Sequence, residues 1–147
     1  MVLYLAGKFR ADFGTMLKIT RKVEYALIAL RHLKGKQDGE LATAKEIAEQ
    51  YGIPQELLAK ALQQLAREHV IEAVKGPSGG YKLVTDPNTI NMIKFFEIME
   101  GPMGIMDCYF DSGCDQLSAC NIRTPINRIN DSIRSMFDKM TLADITY

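Results

Sequence analysis

Residues 43–67 read TAKEIAEQYGIPQELLAKALQQLAR and, after Glu68 and His69, residues 70–85 read VIEAVKGPSGGYKLVT. The first stretch opens on Thr43-Ala44-Lys45-Glu46, a capping-box pattern in which hydroxyl and carboxylate satisfy each other's backbone donors, and predicts a short helix from Ala44 to about Gln50. Gly52 then tolerates the positive φ of a tight turn, and Pro54 suits the first turn of the next helix. That second helix has Leu57, Leu58, Ala61, Leu62 and Leu65 as its buried stripe, with Gln55, Glu56, Ala59, Lys60, Gln63, Gln64 and Arg67 outward. Two helices joined by a tight glycine turn form a helix-turn-helix. After His69 the period changes. Val70, Ile71 and Val74 read as one strand, and Tyr81, Leu83 and Thr85 as its partner across Gly76-Pro77-Ser78-Gly79-Gly80, a hairpin with a side-chain-poor tip.

Upstream, Thr20 caps a helix carrying Val23, Leu27, Leu30 and Leu33 at helical spacing, closed by the polar stretch 35–40. Downstream, Asn88 or Thr89 is the expected cap of a helix with Ile90, Ile93, Phe96 and Ile98 as its apolar members, ending at Gly101-Pro102. Residues 103–123 show no sustained period and read as a loop. Thr124-Pro125 restarts a helix with a capping hydroxyl and a proline at the first position. Its apolar row of Ile126, Ile129, Ile133, Phe137 and Met140 needs a partner, most simply a second copy of the chain. The expected fold is therefore mainly α with a small β-hairpin: a winged helix-turn-helix over residues 16–87, a connecting helix and cysteine loop over 88–123, and a long C-terminal dimerisation helix and tail over 124–147. Residues 1–15 read as a leader or non-native extension.

The composition, 47% hydrophobic and 24% charged, is that of a globular domain, and no run approaches a membrane span. With no secretory signal, the expected compartment is the cytoplasm. Net charge is zero but unevenly spread: residues 16–85 carry 11 Lys and Arg against 8 Asp and Glu, whereas residues 86–147 carry 5 against 9. The basic half is where a DNA surface belongs. Near the start of the second helix of the motif, Gln55, Glu56, Ala59 and Lys60, with Gln63 further on, are placed to reach base edges. In the hairpin, Lys75 and Lys82 supply charge, and the glycines beside Ser78, Gly79 among them, let backbone approach a phosphate. Arg21, Lys22 and Lys45 are candidate phosphate contacts. The competing reading is an ordinary helical hairpin with a solvated charged face; the adjoining glycine-rich hairpin weighs against it.

Three cysteines, Cys108, Cys114 and Cys120, are separated by five residues each time. A zinc knuckle brings two sulfurs within two to four residues. Wider, even spacing suits a larger object such as an iron-sulfur cluster, with three thiolates leaving one iron open. Asp107, Asp111, Asp115, Glu24, His32 and His69 are the available fourth ligands; both histidines occupy ordinary structural positions, near a helix end and in a turn. The alternative is three structural or free thiols.

These pieces together resemble the Rrf2 family of bacterial regulators, which includes iron-sulfur-assembly and nitric-oxide-sensing repressors. The resemblance is carried by Ile19-Thr20 before Glu24-Tyr25-Ala26-Leu27, Ile47-Ala48 before Gly52-Ile53-Pro54, residues 74–83, the evenly spaced cysteines and Thr141-Leu142. It implies a homodimer built on the C-terminal helix, and a cluster loop near the partner's first helix. It also implies a cluster, [4Fe-4S] or [2Fe-2S], and no enzymatic activity. One branch takes its last ligand from a histidine three residues after the final cysteine; Arg123 stands there in this chain. Another uses a carboxylate on the first helix of the other protomer, and Glu24 occupies the matching place. The expected function is transcription regulation, as a repressor on an operator in double-stranded DNA, controlled by a cluster that responds to redox state, nitric oxide or cluster supply. The alternative is a cluster-free regulator controlled by a protein or small-molecule effector. A redox enzyme is disfavoured, since the only glycine cluster lies in a hairpin rather than at a strand-to-helix turn.

Overall fold

The structure, a computed structural model, describes residues 19–105 and 114–146, so the expectation for residues 1–15 and the position of Cys108 lie outside the described residues. In chain order the elements are α1 (Arg21–Lys34), α2 (Ala44–Tyr51), α3 (Gln55–Arg67), β1 (Ile71–Val74), β2 (Gly80–Leu83), a 3-10 turn (Pro87–Thr89), α4 (Met92–Glu100), α5 (Arg123–Asp138) and α6 (Leu142–Thr146). This is a winged helix with an added C-terminal helix.

Local chemistry sets most boundaries. Thr20 and Thr43 cap α1 and α2, their hydroxyls accepting from the Val23 and Glu46 amides at 3.3 and 3.0 Å. Gly52 ends α2 at φ 65°, the left-handed conformation the turn requires. His69 adopts the same conformation (φ 60°) after α3, and the Val70 amide reaches back to the Leu65 carbonyl at 3.0 Å, satisfying a helix-end acceptor as the chain turns into β1.

The core gathers around α1 and α3: Val23, Ala26, Leu30 and Leu33 meet Leu58, Ala61, Leu62 and Leu65, with Ile47, Val70, Ile71, Phe95 and Met99 closing the sides. Leu142 from α6 completes it, 1% exposed. The return is fixed by the Met92 amide on the Met140 carbonyl and the Leu142 amide on the Ile90 carbonyl, both 2.8 Å, so the tail is stitched to the N-terminal core. The hairpin pairs Ile71 with Leu83 through Val74 with Gly80, and an added bridge ties Tyr81 to Ala42.

The structure differs from the sequence expectation in several places. Glu46 does not return to the Thr43 amide; its carboxylate goes to Lys36 and His32, so only half of the capping box forms. Asp86 and Asn91 are the caps ahead of α4, rather than Asn88 or Thr89, because Pro87 starts a separate 3-10 turn. Helix α4 buries Met92, Ile93, Phe95 and Met99 most deeply, with Phe96 edge-on to Phe137 at 5.1 Å. Helix α5 begins at Arg123 with no side-chain cap; Thr124 and Pro125 lie within its first turn, where a missing N–H costs no helical bond. Leu57 is exposed, since it stands about 90° from the centre of the Leu58, Ala61, Leu62, Leu65 stripe at 3.6 residues per turn.

Gly79 is demanded by the turn itself: a Cβ there would lie 2.2 Å from the Val74 carbonyl oxygen and 2.9 Å from that of Gly76. Gly79→Ala is therefore expected to destabilise the protein by about 1–3 kcal/mol, read from denaturant unfolding, because the clash is with backbone that cannot rotate away. An unchanged midpoint contradicts this.

Candidate nucleic-acid interface and cysteine segment

Helix α3 is anchored by its buried leucines, which leaves its opposite face in solvent. Gln55, Glu56, Lys60 and Gln63 are exposed there and Ala59 is half-buried. Leu57 joins them at 46% exposure, an apolar side chain that the count of leucines assigned to the core. Lys75 and Ser78 are exposed at the hairpin tip, while Gly79 and Lys82 are half-buried. Gly79 serves the turn, which gives its lack of a side chain a structural cause beyond any close approach of a ligand.

Most of the cations singled out in the sequence lie beside a carboxylate. Lys60 is 3.5 Å from Glu56, Lys82 is 3.3 Å from Glu72 across the hairpin, Lys45 is 3.9 Å from Glu49, and Arg21 is 2.8 Å from Glu24. Such exposed pairs are worth at most about 1 kcal/mol, so an incoming phosphate competes with them at little cost.

A polar network joins α1 to α2. His32 contacts the Tyr51 hydroxyl at 3.0 Å through Nδ1 and the Glu46 carboxylate at 3.1 Å through Nε2, and the Lys36 ammonium donates to the same carboxylate at 2.6 Å. The Lys36 hydrogen bond holds the Glu46 carboxyl below the usual range, with His32 adding to it, and the same bond raises Lys36 above its own.

Cys114 is exposed and Cys120 half-buried, both free thiols flanking the turns of residues 115–119. Among the described residues no three His, Cys, Asp or Glu side chains come together in a way that could hold a metal ion. Cys108, Asp107 and Asp111 lie outside the described residues. His69 sits in its turn and His32 in the network above. Glu24 is half-exposed on α1 and bonded to Arg21.

The segment before the cysteines is tied down from three sides. Gln64 of α3, expected to face solvent, instead donates to the Ile98 and Met99 carbonyls at the end of α4, at 2.5 and 3.3 Å. Arg134 of α5 bonds Glu97 and the Met103 carbonyl, at 3.1 and 2.7 Å, and Asn130 accepts from the Ile105 amide at 3.1 Å. The Thr20 hydroxyl bonds Glu100. Spacing alone gave no signal for Gln64, because its partners are backbone atoms of a helix more than thirty residues away.

Residues 19–147 match the profile of Rrf2, described as iron-dependent transcriptional regulator. The chain belongs to the Rrf2 family. Among its relatives is the HTH-type transcriptional regulator NsrR of Bacillus subtilis (strain 168), 30% identical over 132 residues, which are 88% of this chain and 90% of that one. IscR of T. potens shares the fold with TM-score 0.66 at 24% identity, covering 88% of this chain and 85% of that one. CymR (YrzC), the global cysteine regulator of B. subtilis, does so with TM-score 0.66 at 24% identity, covering 89% and 97%. This Rrf2 protein is accordingly a DNA-binding transcription regulator, of a family of regulators and not of enzymes. Among the described residues no helix is long and apolar enough to cross a membrane.

The network makes a stability prediction. A carboxyl whose pKa is lower folded than unfolded stabilises the protein above the usual carboxylate range, and that contribution is lost as pH falls through the folded pKa. Wild type is expected to be more stable than Glu46→Gln at neutral pH, with the gap closing as pH falls below about 4. Parallel unfolding midpoints across that range contradict it.

Proposed function

We propose that this Rrf2 protein acts as a homodimer whose hold on an operator is set by an iron-sulfur cluster bound by Cys108, Cys114 and Cys120, with Glu24 of the other protomer as the remaining ligand. The observation that carries the reading is the pair of free thiols, Cys114 and Cys120, which follow in the chain a stretch, residues 98–105, that Thr20, Gln64 and Arg134 hold by hydrogen bonds. Thiolates at these spacings fit a cluster better than a single small ion, and the Rrf2 resemblance supplies the carboxylate on the first helix.

Phe137 and Met140 of the expected row pack against the core, and the exposed edge of the apolar face of α5 supports the dimer. Ile129 and Met136 are about half exposed, as is Ile122 just ahead of the helix, and Asn130 is its only buried residue among those described. An exposed apolar edge on a helix held from one side is an interface in waiting. In a two-fold dimer, two α3 helices would enter successive major grooves about 34–36 Å apart. Gln55, Glu56, Ala59, Lys60 and Gln63 would then read base edges, and Leu57 would meet a thymine methyl. Lys75, Ser78 and Lys82 of the wing, the Gly79 backbone, and Arg21, Lys22 and Lys45 would hold phosphates.

The cluster when bound supplies a site that oxidants or nitric oxide attack. The chain's own residues do the rest: thiolates hold the segment, and the bonds from Thr20, Gln64 and Arg134 fix where it leaves α4. In this role the protein acts in the cytoplasm as a repressor.

Anaerobic protein is expected to contain iron and acid-labile sulfide with visible absorption, Cys114→Ala to lose them, and Glu24→Ala to hold them less firmly. Iron-free or zinc-only preparations contradict the cluster and favour the effector-controlled alternative; unchanged content and stability of the cluster in Glu24→Ala removes that residue from the site.

On the DNA side, Lys75→Ala is expected to weaken binding evenly across sequences and lower the slope of log affinity against log salt by about 1. Gln55→Ala is expected to cost about 1–3 kcal/mol at one base position and relax preference there. Unaltered titrations of both variants contradict the assigned face.

A further inference from the structure

Among the described residues, the DNA-reading helix bonds the last turn of α4, from which the chain runs on toward the cysteines. A helix end leaves its final carbonyls without helical donors. Here those of Ile98 and Met99 take both their bonds from the side-chain amide of Gln64, half-buried on the flank of α3. Two residues later the chain turns at Gly101 and runs through Met103 and Ile105, held by Arg134 and Asn130, toward Cys108. Hydrogen bonds are short-ranged and directional, so a displacement of residues 98–105 either carries Gln64 with it or breaks both bonds. Gln64 shares a stiff helix with Gln55, about 13 Å away along the axis, so what moves one end of α3 re-aims the other.

We propose that Gln64 is the positioning residue that couples the cysteine segment to the DNA-reading face. It touches neither metal nor DNA; it acts through the end of α4. This rests on the reading above that the cysteine segment is the sensing element. The role requires a donor at position 64, which makes it separable from packing. Leucine and glutamate fill the space without donating, whereas lysine donates.

The test uses full-length wild type, Gln64→Leu, Gln64→Glu and Gln64→Lys, each prepared anaerobically with its metal and again after chelation. All are titrated on one duplex selected in vitro from random-sequence DNA by the wild type. The two wild-type forms are expected to differ about tenfold or more in Kd, and that ratio to fall below about threefold in the leucine and glutamate variants. Iron content and salt slope should stay unchanged, and lysine should restore the ratio. Because glutamate matches glutamine in size, the glutamate and lysine pair decides even where leucine lowers stability. A full ratio in both non-donating variants overturns the coupling and leaves the sensing reading standing. Equal wild-type affinities with and without metal overturn the sensing reading itself, and the coupling with it.

Discussion

A helix that ends inside a protein leaves carbonyl oxygens that something else must satisfy, and the end of α4 meets that demand with side chains from the rest of the fold. Gln64 reaches it from α3, while Thr20 and Arg134 bond its flanking carboxylates from α1 and α5. Leaving such an acceptor unmet costs up to about 1–3 kcal/mol where it is fully buried and less at this part-buried helix end, so these elements are not independent of the chain that follows. Three helices, one bearing Glu24, one carrying the proposed base-reading side chains and one with an exposed apolar edge, are bonded around the stretch that leads to the cysteines.

The electrostatics explain how a chain of zero net charge belongs to a family of DNA-binding regulators. The basic residues concentrate in the half that carries the candidate interface, 11 in residues 16–85 against 5 in residues 86–147, and the acidic residues near that interface mostly pair with cations through exposed contacts that phosphates displace cheaply. The ion pair and imidazole around Glu46 tie α2 to α1.

What could be read from sequence was what local chemistry decides. Thr20, Thr43 and Gly52 act on backbone within four residues, and the turn at Gly76-Pro77-Ser78-Gly79 announces itself, so the winged helix was legible before any coordinate. Leu57 was misplaced because adjacent leucines compete for one stripe, and only the packing of α3 on α1 chooses Leu58. Glu46 and Gln64 escaped because their partners, Lys36, His32 and the end of α4, arrive through the tertiary fold. Helix α6 carries too short a pattern to announce itself, yet Leu142 is buried in the core.

On the proposed coupling, the state of the cysteine segment reaches helix α3 through the body of the protein. Hydrogen exchange on anaerobic wild-type protein, with its metal and after chelation, tests this directly in the absence of DNA. The amides of α3 and of the last turn of α4 should change protection together with residues 114–122. A change confined to the cysteine segment, with α3 exchanging identically in both forms, would contradict that coupling.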